Sequence, residues 1–157
     1  MATPRFLAVT VAIAVLGALG FAASAVAAPP LHGTGTSTLT DSTVLSAKQL
    51  GGNTFVEQHN TRVDTGAFAG TVDEYLSLVI HANGNITFQA DATLHGVYAG
   101  CGPTVVTQQI HLAGRIEQDG TLTANFATFG GAAVKVQGTV AGNGASPTAQ
   151  FEITYHC

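Results

Sequence analysis

The chain has 157 residues, a formal charge of −4 and only 9% charged side chains, so it lacks the basic footprint that nucleic-acid binding requires. Few charges beside abundant Gly, Thr, Ala and Val suit an all-β exported protein. The length suits one domain with one core once the N-terminal segment is set aside.

That segment has the three parts of a secretory signal peptide. Arg5 precedes an apolar run over residues 6–21, and Ala25-Val26-Ala27 puts small residues at both cleavage-determining positions. The expectation is cleavage after Ala27, leaving residues 28–157 as a secreted, extracellular domain with no membrane attachment. The alternative is an uncleaved anchor, because the run is almost long enough to span a bilayer.

Residues 28–35 read as a flexible lead-in. Residues 36–39 with 43–47 read as a weak, Ser/Thr-rich first strand or bulged pair. Further strands are expected at 54–63, 68–81, 85–97, 104–117, 121–129, 134–140 and 148–156. Between 72 and 122 the even-numbered residues are mostly apolar and the odd-numbered ones mostly polar, which marks strands buried on one side. No stretch has a sustained helical period with caps.

Three turns share one form, with Gly third: Asp64-Thr65-Gly66, Ala82-Asn83-Gly84 and Gln118-Asp119-Gly120. This order fits a three-residue hairpin closed by a left-handed Gly, and each such turn sets a register. The second pairs Ile80 with Ile86, Leu78 with Phe88 and Leu76 with Ala90. The third pairs Ile116 with Leu122, Gly114 with Ala124 and Leu112 with Phe126. Apolar faces apolar in both, which a one-residue slip would destroy. The first pairs Val63 with Ala67.

About eight one-faced antiparallel strands make either a sandwich or an up-and-down barrel. Cys101 and Cys157 are the only cysteines, and in a meander they fall at the same end of the sheet. A disulfide between them is expected in an oxidising compartment, and curling the sheet would bring them close, which favours the barrel. The other reading of the cysteines, a reactive thiol, lacks a visible cationic neighbour or helix start.

The order Gly70-Thr71-Val72-Asp73-Glu74-Tyr75-Leu76, the hairpin at Asn83-Gly84, and the later Phe129-Gly130-Gly131 and Gln137-Gly138-Thr139 resemble uncharacterised bacterial proteins grouped with the allene oxide cyclase barrel. The resemblance covers most of residues 31–157. It implies an eight-stranded, allene oxide cyclase-like (dirigent-like) barrel with an apolar cavity. It carries over no catalytic motif residue by residue. Members of the group associate through outer strands, so a homo-oligomer is a further reading.

The first turn's register gives an inward set of Val56, Gln58, Asn60, Arg62, Phe68, Gly70, Val72 and Glu74. Glu74 shares the phase of Leu76, Leu78 and Ile80, opposite Val56 and diagonal to Gln58. A carboxyl there would have its pKa raised by desolvation and could exchange protons. The alternative places it solvated at the mouth or turned outward by a bulge. Arg62 lies about six positions from Val56, hence about 20 Å from Glu74. It would hold a ligand carboxylate at the opposite mouth or be exposed on a rim.

His59, His81, His95, His111 and His156 fall on the solvent phase, and no pair has metal-site spacing, so no metal is expected. With no nucleophile elbow and no phosphate-binding glycine loop before a helix, neither a serine triad nor a cofactor is expected. Two functions follow as expectations. The first is a secreted barrel that binds a small apolar or amphipathic ligand against Leu76, Leu78, Ile80, Phe88, Leu112 and Phe126, or is purely structural at the cell surface. The second is a cyclase- or isomerase-like enzyme that moulds a reactive lipid-like substrate, with Glu74 and Gln58 as catalytic candidates. The small inward residues Ala90, Ala92, Gly114 and Ala124 leave room inside.

Overall fold

The computed structural model describes residues 28–157. The expected signal peptide, residues 1–27, lies outside the described residues. Eight strands run in chain order: β1 (Leu31–Leu50), β2 (Asn53–Gly66), β3 (Phe68–Ile80), β4 (Ile86–Tyr98), β5 (Val106–Ile116), β6 (Thr121–Thr128), β7 (Lys135–Asn143) and β8 (Thr148–His156). Each pairs antiparallel with the next, and β8 returns to β1, so the sheet is a closed up-and-down barrel.

The alternation is the cause of closure. A sheet with one apolar face must bury that face, and curling it on itself does so while also pairing the outer edges. Val72, Leu76, Ala90, Ala92, Leu94, Ile110, Ala124, Val136, Phe151 and Ile153 form the buried interior. The residues between them along the strands, such as Gln89, Asp91, His95, Gln109 and His111, face solvent.

Two of the three turn registers hold. Ile80 pairs with Ile86, Leu78 with Phe88 and Leu76 with Ala90. Ile116 pairs with Leu122, Gly114 with Ala124 and Leu112 with Phe126. Gly84 and Gly120 close these turns at φ 86° and 87°, where a side chain would be strained.

The first register is corrected. Val63 pairs with Thr71 rather than Ala67, a slide of four residues. Asp64-Thr65-Gly66 is no tight hairpin. Thr65 and Gly66 turn away to pair with Thr36 and Gly35 of β1, while Phe68 and Ala69 pair with Tyr98 and Val97 of β4. Being even, the slide leaves each side chain on its expected face and changes only its partner.

The lead-in reading of residues 28–35 also fails from Leu31 onward, because Leu31 to Gly35 pair with β8. Residues 31–50 form one strand with register shifts between Leu39 and Asp41 and between Val44 and Ser46.

One end of the barrel is plugged. The rings of Phe68 and Tyr98 lie 4.9 Å apart, and those of Tyr98 and Tyr155 lie 5.4 Å apart. Gln108 Nε2 donates to Tyr98 Oη at 2.8 Å, and Tyr155 Oη donates to the Ala99 carbonyl at 2.7 Å. The Cys101–Cys157 disulfide closes the same end, with Cα atoms 5.4 Å apart. Around the barrel, inward phenylalanines sit opposite inward glycines: Phe88 on Gly114, Phe126 on Gly138 and Phe151 on Gly35. The missing side chain of each glycine makes space for a ring from the next strand.

Candidate functional site

The site is built on β1, β2 and β3, where the inward face changes character. Along β2 four successive inward positions carry Gln58, Asn60, Arg62 and Asp64, all polar. Each faces a partner on β1 or β3: Asp64 faces Ser37, Asn60 faces both Ser42 and Glu74, and Arg62 faces both Leu39 and Val72. An apolar barrel thus has one polar wall.

Glu74 is 5% exposed, so the readings that placed it solvated at a mouth or turned outward do not hold. Its Oε1 accepts from Asn60 Nδ2 at 3.0 Å and lies 3.7 Å from Arg62 Nη1. The expected separation of about 20 Å between Glu74 and Arg62 is therefore wrong, and the four-residue slide is the reason. Asn60, rather than Val56, stands opposite Glu74. Arg62 is accordingly not a clamp at a far mouth. Its Nε donates to Ser37 Oγ at 2.8 Å, and its side chain is 19% exposed.

Gln58 is linked to Glu74 through Asn60: its Nε2 donates to Asn60 Oδ1 at 2.8 Å and to Ser42 Oγ at 2.5 Å. It steadies the amide that holds the acid and does not line the cavity.

Burial pushes the pKa of Glu74 up, offset in part by the Asn60 hydrogen bond and the Arg62 charge. Burial also pushes Asp64 up, from 3.8 to about 6, against the Ser37 hydrogen bond and the Arg62 charge, with the Glu74 charge adding to the rise. Asp64 Oδ1 is buried without a hydrogen-bond partner among the described residues. Two carboxyls share one guanidinium in a poorly solvated place, so full ionisation of both is unfavourable.

This polar wall borders a cavity of about 100 Å³. Ser37, Arg62, Asp64 and Glu74 line one side; Val72, Leu94, Ile110, Leu112, Phe126 and Phe151 are among the apolar residues that line the rest. Of the expected ligand-binding residues, Leu76, Leu112, Phe126 and Arg62 meet here. Leu78, Ile80 and Phe88 do not; they lie on the same inward face nearer the unplugged mouth, where Ile80 is 37% exposed. Ala124 lines the cavity, as expected, but Ala90 and Ala92 do not, and Gly114 supplies no room because the Phe88 ring packs over it.

Phe68, expected inward, lines the cavity, whereas Ser37, Asp64 and Tyr98 are lining residues that the sequence reading does not single out. Asp64 has the sequence setting of a turn, yet its even parity after Arg62 places it inward. Ser37 sat in a weak first strand, and Tyr98 one residue beyond the expected end of the fourth. Among the described residues, no three His, Cys, Asp or Glu side chains converge as metal ligands. Comparison with protein families finds no model that matches this chain, and comparison with curated proteins finds no match.

Proposed function

We propose that this is an exported binding barrel whose interior takes one small, compact amphipathic molecule, with its polar head on the Arg62–Glu74–Asp64–Ser37 wall. The observation that carries this reading is an interior space with apolar walls and a single buried cluster of charged groups along one side. Size sets the ligand class. A dry cavity of about 150 Å³ holds benzene, so about 100 Å³ sets a single small ring or a short branched chain as the upper bound and excludes an extended acyl chain. Charge narrows it further. Two acids beside one guanidinium repel an anionic head group and favour a neutral one, such as an alcohol, a phenol or a carbonyl.

The disulfide is compatible with an oxidising, extracellular setting, and the signal-like N-terminus supports export. Polar residues outside and apolar ones inside are the reverse of what a lipid-facing barrel needs. Eight strands in meander order support the resemblance to allene oxide cyclase barrels as part of this proposal.

The test is thermal unfolding with phenol, cyclohexanol and palmitate, alongside native mass spectrometry of protein taken from culture medium. At about a hundred times its dissociation constant a true ligand stabilises by about 2.7 kcal/mol. The single-ring compounds should raise the midpoint, palmitate should not, and Ala124→Leu should abolish the effect. No shift with any single-ring compound, together with no retained small molecule, would refute the reading.

The two buried acids with raised pKa values favour a second reading, a cyclase- or isomerase-like enzyme using Glu74 as proton donor or acceptor. Here Glu74→Gln should abolish turnover with little change in thermal midpoint. Loss of the fold instead would return Glu74 to a structural role.

A further inference from the structure

β1 is the longest strand, and the barrel uses only its first part on both sides. Leu31 to Thr38 pair with β8, and the last seam bond is from Leu39 N to the Pro147 carbonyl. From Asp41 to Leu50 the strand pairs only with β2. Residues 41–50 of β1 are therefore an edge arm with one row of backbone donors and acceptors facing outward, while β2 beside them stays paired with β3. All of residues 40–50 are exposed, including Val44 at 59%, Leu45 at 56% and Leu50 at 63%. An unpaired edge of this length with apolar side chains is a template for another strand.

We propose that the partner is a second copy of this chain, joined by antiparallel pairing of the two β1 arms about a two-fold axis between Val44 and Leu45. The argument is self-complementarity. Asp41 and Lys48 are the only charged residues on the arm strand, and they lie equally far from that axis on opposite sides. Antiparallel pairing about the axis sets Asp41 of each copy opposite Lys48 of the other.

The face is right as well. In a regular strand two residues seven apart point to opposite faces, but the shift between Val44 and Ser46 alters the count. Asp41 stands opposite Thr61 and Lys48 opposite Phe55, an even separation along β2, so both side chains share the outer face. By the same reckoning Ser42 meets Ala47 on the inner face and Thr43 meets Ser46 on the outer one.

A strand edge guarded against association carries charges of one sign, which repel when two edges meet. This edge carries one of each, placed so that they attract. Among the described residues neither Asp41 nor Lys48 has an ion-pair partner in its own chain. The pairing would form one continuous sheet across two barrels and cover Val44 and Leu45 at its centre.

The experiment is sedimentation of the purified protein over a concentration series, with charge reversals. The wild type should dimerise. Asp41→Lys and Lys48→Asp should each weaken the dimer about tenfold or more, because each sets like charges opposite one another twice. Mixing the two single variants should restore association as a heterodimer, and the double reversal should restore the homodimer. Thermal midpoints should stay near wild type, since both side chains are exposed and unpaired. If a reversal impairs folding, Asp41→Asn and Lys48→Gln give the same readout with smaller amplitude. A wild type that stays monomeric at every concentration overturns the proposal and leaves the edge to a foreign strand. So does a dimer indifferent to both single reversals, or a mixture of the two that fails to associate.

Discussion

Asp64→Asn isolates the cost of the polar wall. The wild-type carboxyl is 9% exposed, and burial pushes its pKa from 3.8 to about 6. The folded protein therefore holds this proton more tightly than the unfolded chain does. The sign follows: stability is fully present below the unfolded value of 3.8 and is lost as pH rises through about 6. At about 1.4 kcal/mol for each tenfold difference in proton affinity, the loss is about 3 kcal/mol once the group is ionised. Asparagine has nearly the same shape and stays neutral, so the variant escapes this loss. Glu74, with its pKa also raised, tilts both proteins in the same direction and largely cancels in the comparison. Urea unfolding followed by circular dichroism, from about pH 4 to about pH 8, should show the variant gaining on the wild type by about 3 kcal/mol across the range. Near neutrality that corresponds to a thermal midpoint about 10 °C higher for a domain of this size. Parallel stability curves, or a gap that narrows as pH rises, would refute the account of Asp64 as a buried acid whose ionisation is opposed.

Arg62→Met should destabilise by about 2–3 kcal/mol at neutral pH, below the range for a fully buried pair because the arginine side chain is 19% exposed. The loss should shrink as pH falls below about 6, where Asp64 takes up its proton instead; pH-independent unfolding would contradict this. Cys157→Ser opens a loop of sequence separation 56 and should cost about 4 kcal/mol in the chain-entropy account, read as a lower thermal midpoint that reductant no longer changes. Gly138→Ala should cost about 1–3 kcal/mol by urea unfolding, although alanine usually suits a strand better than glycine. The added methyl would meet the Glu152 backbone carbonyl and lie 2.8 Å from the Phe126 ring, and an unchanged or raised midpoint would show that the wall yields there.

Much of the architecture was legible because its causes are local. Strict alternation over Ile86–Tyr98 and Val106–Ile116 states which side chains share a face, and Asn83-Gly84 and Asp119-Gly120 set two registers through the backbone freedom of one glycine each. Those constraints act over a few residues and survive any tertiary setting that buries the apolar face. They also placed Glu74 and Arg62 on the inward side, although not beside each other.

What the tertiary structure alone decided is who meets whom across β2 and β3, and where β1 leaves the barrel. Asp64-Thr65-Gly66 looks like the other two turns, yet closing the sheet requires residues on both sides of it to pair with β1 and β4. A slide by an even number of residues keeps every side chain on its face, so nothing in the pattern of apolar and polar positions distinguishes the two registers. The stagger of a barrel is a property of all its strands together. The ion pair of Arg62 with Glu74, the cavity beside it and the unpaired arm of β1 all follow from that stagger rather than from any single stretch of the chain.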